Sequence, residues 1–260
     1  MNRAERRRRA KDDERLLAHG IDAEAQGAEP TAAMARQLHA LLEQAKRDRN
    51  IDPPVRYLHA RIDATLQRLA HIPVACKKGC AHCCHIWVSV TAPEVLFVAK
   101  ALRRRNDAGV SERITRAHVA TQDFDFFARG KHPHPCPLLE DDLCSVYALR
   151  PRACRFAASA DAGICERSYR KLANEDIPMP VLSVVGRNAY AIALAIALKH
   201  AQLPHHLYEF NAALARALEQ DDAERSWLAG EDIFAGVRRD PNDVFEQSPA
   251  YMIYSHAFGG

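Results

Sequence analysis

Glycine is scarce in this chain, at 11 of 260 residues, and neither a G-x-G-x-x-G nor a P-loop pattern occurs. Glycine-rich βα loops, and the phosphate cradles built from them, are therefore missing. Charge of one sign is also lacking. The net charge of +3 is too small to argue for a nucleic-acid partner. No apolar stretch follows the basic run Arg6–Arg9, where Asp12, Asp13 and Glu14 come instead, so no secretory signal is expected. The most apolar run, Tyr190 to Leu198, lies between Arg187 and Lys199 and is about half the length a bilayer span needs. It reads as a buried core helix. These absences predict a cytoplasmic chain with no membrane partner. Strand signals are few, and residues 86–90 form the best of them.

Cysteine is not scarce. Eight occur, and their spacing is Cys76-x3-Cys80-x2-Cys83-Cys84, then Cys136-x7-Cys144-x9-Cys154, with Cys165 eleven residues further on. Four thiols within nine residues point to a metal, a disulfide network or redox chemistry. A cytoplasmic chain keeps thiols reduced, which disfavours disulfides. Thiolate sulfur is a soft ligand that selects zinc, copper(I) or iron–sulfur clusters over magnesium or calcium. The two-residue gap between Cys80 and Cys83 lets both sulfurs reach one ion from a tight turn, and Gly79 permits close backbone approach. Adjacent side chains diverge, so Cys83 and Cys84 are expected to divide their work. One serves a first centre, while the other serves a second, bridges or stays free. Lys77, Lys78, Arg150, Arg152 and Arg155 flank the cysteines and are expected to offset thiolate charge. His82, His85, His132 and His134 lie nearby but read as neighbours of the site, not ligands. Cys76, Cys80 and Cys83 also match the cluster spacing of radical S-adenosylmethionine enzymes, but the chain shows no repeated βα pattern.

The rest of the chain reads as scaffold. Residues 1–25 form a basic arm whose six positive charges in eleven residues carry no interleaved aromatics, so a solvated arm is favoured over one bound to nucleic acid. Residues 31–70 carry two helical stripes, Met34, Leu38, Leu41 and Leu42, then Val55, Leu58, Ile62, Leu66 and Leu69, which predict a helical hairpin. His39 and His59 lie on these helices. Residues 73–170 form the cysteine module. Within it Thr91 and Glu94 make a capping box, and a helix is predicted over 112–128, with Ser111 as cap and Gly130 as stop. A short helical turn is expected at 145–149. Residues 171–260 form a C-terminal helical region, with helices at about 182–201 and 206–219 and Trp227, Ile233 and Phe234 packed back on them. The acidic loop Glu140–Asp142 reads as solvated.

The pattern Cys76-x3-Cys80-x2-Cys83-Cys84, the step Cys136-Pro137-Leu138, Cys144-x2-Tyr147 and Arg150-Pro151-x2-Cys154-Arg155 together resemble the bacterial YkgJ-type cysteine-cluster family over about residues 73–165. That family is described as zinc- or iron-chelating and is sometimes labelled iron–sulfur. The resemblance implies metal binding through Cys76, Cys80, Cys83, Cys84, Cys136, Cys144 and Cys154, with Cys165 as a later, less regular member. The first gap here is three residues where two is commoner. The expected protein is mainly α, with helices packed around an irregular, loop-rich cysteine-cluster metal centre for zinc or iron, an iron–sulfur cluster included. Three function classes stay open. They are a metal-binding protein, an iron–sulfur oxidoreductase or protein-modifying enzyme, and an adaptor that uses the basic arm on nucleic acid or a protein.

Overall fold

A computed structural model describes residues 28–105, 108–173, 175–241, 243 and 245–259. The basic arm at 1–25 lies outside them. The fold is mainly α, as composition and periodicity predict. Helix α1 covers 28–48 and α2 covers Asp52–Arg68. Between them Arg49 takes φ 52, a left-handed residue that ends the first helix. Pro53 and Pro54 then sit at the start of α2, where a missing N–H costs nothing. Met34, Leu38 and Leu42 on α1 and Val55, Leu58 and Ile62 on α2 are buried, whereas Leu41, Leu66 and Leu69 are only partly buried, so most of each predicted stripe faces the core.

Strand β1, Ser89–Thr91, leads into α3, Ala92–Arg105. The Thr91–Glu94 pair stands at this junction in an altered form. Glu94 accepts both the Thr91 N–H (3.0 Å) and the Thr91 hydroxyl (2.7 Å). Its second oxygen accepts the N–H of Arg152 at 2.6 Å. A helix-start carboxylate is thereby recruited to seat a segment 58 residues away.

The single helix predicted over 112–128 is two. Helix α4 runs Ala108–Thr121, and α5 runs Phe126–Lys131. Asp125 opens the second helix by accepting the Ala128 N–H at 2.7 Å. That side-chain cap competes with helix continuation. Ser111 therefore lies inside α4 and Gly130 inside α5, and neither is a boundary. Hairpin strands β2, Leu139–Glu140, and β3, Leu143–Cys144, follow, then a single helical turn at Tyr147–Leu149 and short helices α6, Arg152–Arg155, and α7, Ala162–Tyr169.

Helix α8, Val181–His200, is long and apolar enough to cross a membrane by length and composition. Every residue from Tyr190 to Leu198 is nevertheless buried in the core. The helix predicted from 206 begins later. Residues Leu207–Glu209 form strand β4, antiparallel to β1, and α9 follows at Phe210–Glu219. β-branched or aromatic side chains on both strands suit this pairing. Helices α10, Ala223–Leu228, and α11, Pro249–Gly259, complete the chain. Trp227, Ile233 and Phe234 are buried, as expected. One continuous core draws residues from α1–α4 and α8–α11 and takes in Leu138, Val146 and Phe156 of the cysteine module. Gly186 of α8 lets that module approach, because a Cβ there would stand 2.9 Å from the Phe156 ring.

Two predictions follow from the buried polar groups. Glu94→Ala strands the Arg152 and Thr91 N–H groups and should cost about 3 kcal/mol in urea denaturation; a loss below ~1 kcal/mol would show the carboxylate to be dispensable. His59 is buried on α2 against Phe97 and Arg155. Burial, then the Arg155 charge, lowers its pKa from 6.5 to about 4, against the opposing pull of Glu94 and Asp63. The unfolded chain thus takes up a proton that the folded chain refuses. Stability present above pH 6.5 should fall by roughly 3 kcal/mol as pH drops toward 4. His59→Gln should flatten that slope, and an unchanged pH profile would contradict the assignment.

Candidate metal centre

Five separate segments bring the cysteines together. Cys76 and Cys80 lie in a loop without helix or strand. Gly79 adopts φ +84 there, a conformation costly to any side-chain-bearing residue. It lets the chain turn back so that the Cys80 N–H reaches Lys77 O at 2.9 Å. Cys83 and Cys84 occupy the helical turn His82–His85. Cys136 precedes the hairpin, and Cys144 lies on β3 opposite Leu139. Asp141 and Asp142 take φ 49 and 57, the left-handed pair that a tight two-residue hairpin turn requires. The acidic loop is therefore a turn device. Glu140 and Asp142 pair with Arg113 and Arg170. Cys154 lies in α6. Cys165 is buried in α7, whose start is capped by the Asp161 carboxylate accepting from Gly163 and Ile164.

Main-chain bonds stitch these segments. The Cys136 N–H donates to Cys84 O at 2.7 Å, and the His134 N–H to His85 O at 2.9 Å. Helix α7 packs on the turn that holds Cys83 and Cys84. Ser159, which is buried, accepts the Ala75 N–H at 2.8 Å through its carbonyl and donates its own N–H to the Cys76 sulfur at 3.3 Å.

Electrostatic reach divides the thiols. Cys76 senses Cys80, Cys83 and Cys165, and Cys165 senses Cys80 and Cys83. Cys136 senses Cys154 and Cys144. Cys83 bonds to the Cys84 side chain and also acts on Cys154, so the Cys83–Cys84 step stands at the seam. Burial is the main force raising the thiol pKa at Cys136 and Cys154, each pushed up to about 12. Burial also raises Cys76, Cys144 and Cys165. At Cys83 the largest cause is the Cys84 hydrogen bond, with burial second.

Of the flanking cations, Arg150 offsets charge at Cys83, Cys144 and Cys154 while its guanidinium lies 3.6 Å over the Tyr147 ring. Arg155 is drawn aside to Asp63 (2.6 Å) and His59 (3.2 Å). Arg152 is buried, with its guanidinium on Arg187 O at 3.0 Å. Lys77 and Lys78 are exposed. His85 uses Nδ1 on Ala81 O, His134 uses Nδ1 on Pro135 O, and His132 stacks on Phe124. His82 is a different case, with a buried Nδ1 that has no hydrogen-bond partner. Several neighbours were not legible from spacing. Arg105 acts on Cys144, and buried Arg129, facing Glu209 and Cys136, bonds His132 O at 2.8 Å. Only the helix-start pattern around Glu94 could have flagged any of these contacts, and it carried no hint of Arg152.

All eight cysteines are free of disulfides. Among the described residues no three donors converge on one ion as they stand. The donor set fits a thiophilic cation in its chemistry. Buried neighbouring thiols resist ionisation alone, and a dication supplies the charge that lets them lose their protons.

Residues 75–176 match the sequence model of a family named CxxCxxCC, described as "Putative zinc- or iron-chelating domain". No curated protein and no solved structure matches the chain. The matched span includes all eight cysteines. The likeness to this zinc- or iron-chelating family is confined to residues 75–176 of the chain.

Proposed function

We propose that this protein binds zinc or iron through its cysteine thiolates, in two neighbouring groups that meet at Cys83 and Cys84. The observation that carries the reading is the assembly of eight free thiols, with Cys76, Cys80, Cys83 and Cys165 acting on one another, Cys136, Cys144 and Cys154 acting on one another, and the Cys136 N–H on Cys84 O at 2.7 Å between them. Four thiolates close a tetrahedral ion and leave no open coordination position. Such a site folds, stores or passes on metal and does not itself activate water. The loop holding Cys76 supports exchange with solvent, since Cys76 is exposed and the loop lacks regular structure.

Four thiolates around a dication leave net negative charge, which needs nearby donors. Arg150 and Arg105 meet that need around Cys144, and Arg129 meets it at Cys136. A reducing compartment such as the cytoplasm keeps the thiols available.

Anaerobic purification with metal analysis and an absorption spectrum tests the reading. Bound zinc or iron in stoichiometric amount, near two ions per chain, is expected. Absorption near ~400 nm would assign iron–sulfur ligation, and a colourless zinc protein would assign closed thiolate sites. A chain that retains no metal and takes up none on reconstitution would refute the proposal.

A further inference from the structure

None of the eight cysteines lines the cleft of about 470 Å³ that lies between the end of α4, one face of α9 and the loop at 235–238. Its volume is in the range of small-molecule sites. Glu209, the N-cap of α9, and Ala212 and Arg216 within the helix line one wall, because steps of three and four residues return to the same helix face. Ala212 and Gly236 leave the room. A Cβ at Gly236 would meet nothing within 4 Å, and the φ of +82 there disfavours any side chain. Phe124 supplies an aromatic wall and is held by stacking on His132, with the ring centroids 4.6 Å apart.

Two guanidinium groups line this cleft without a carboxylate at hydrogen-bond distance. Arg216 spends Nε on Ile233 O at 3.2 Å, and its approach to the exposed Glu219 is 3.7 Å. Arg238 spends Nη2 on Gln122 O at 3.1 Å and pairs with no carboxylate among the described residues. A backbone carbonyl thus anchors each guanidinium and leaves most of its five N–H donors for a ligand. On the α4 side the His118 Nδ1 is enclosed and has no hydrogen-bond partner among the described residues. The buried carboxylate in the wall is already committed. Glu209 accepts the Ala212 N–H at 2.7 Å, and burial pushes its pKa up, against its backbone bonds and the charge of Arg129. A carboxyl that resists ionisation repels an anion only weakly.

We propose that the cleft binds a small organic anion, a carboxylate or phosphate monoester on a flat ring, with Arg216 and Arg238 holding the oxyanion and Phe124 lying against the ring. Guanidinium forks match the geometry of carboxylate and phosphate oxygens, and a fixed aromatic side chain favours a flat apolar body. The site uses no thiol, so it stands independently of the metal-binding reading above.

Calorimetric titration of the purified full chain with phenyl phosphate, benzoate and inorganic phosphate provides the test. Phenyl phosphate or benzoate should bind at one site per chain, about tenfold more tightly than inorganic phosphate, which lacks the ring. The tighter of the two identifies the oxyanion. Arg216→Gln and Arg238→Gln should each weaken that binding about tenfold, and Ala212→Leu should abolish it by filling the cleft. Unchanged circular dichroism and metal content across the variants separate a lost ligand contact from misfolding. Where Ala212→Leu loses helix, the two arginine variants, whose side chains reach solvent, carry the test. The assignment is overturned if neither aromatic anion binds saturably at millimolar concentration, or if inorganic phosphate binds as tightly as both. Binding that survives undiminished in the double variant Arg216→Gln, Arg238→Gln overturns it as well.

Discussion

The Glu94 carboxylate is the contact on which the seating of the cysteine module depends. It stands at the start of α3, is almost fully buried, and holds the Thr91 N–H and hydroxyl with one oxygen and the Arg152 N–H with the other. Thr91 ends the strand that pairs with β4, and Arg152 begins the short helix that carries Cys154. The carboxylate therefore joins the helical frame to the metal-binding segment through bonds to charged oxygen, the stronger class of hydrogen bond. Removing it would leave donors with no water to turn to.

Such anchoring is needed because the module is poor in regular structure. From Ile72 to Ser89 and from His132 to Asp161 the longest elements are single helical turns and two-residue strands. Segments of that kind cannot bury enough apolar surface to hold themselves together. Leu138, Val146 and Phe156 instead dock into the common core, and main-chain bonds such as Cys136 to Cys84 and Ala75 to Ser159 close the gaps. Most of the thiols brought together in this way are at least partly buried, which opposes ionisation. In the proposed reading metal binding relieves that opposition, so that metal and fold would support each other at this site.

The helical class was legible because periodicity in α1 and α2 and the apolar run in α8 are strong, and burial follows them at most positions. Boundaries failed where a side chain or strand intervened. Asp125 starts a new helix where a continuous one was expected, and Leu207–Glu209 pairs with β1 before α9 begins. Spacing drew attention to all eight cysteines, but it could not group them. What brings them together is α7 folding back onto the turn at His82–His85 and Ser159 meeting Cys76, contacts between residues about 80 apart in the chain. Arg129 was likewise invisible, since its place beside Cys136 depends on its guanidinium folding onto the carbonyls of His132 and His134.

X-ray absorption at the metal edge of the reconstituted, full-length protein tests the central claim most directly. The account predicts a first shell made almost wholly of sulfur, about four per ion, at ~2.3 Å for zinc. A shell dominated by nitrogen or oxygen would contradict it, because the metal would then sit elsewhere than among these thiols.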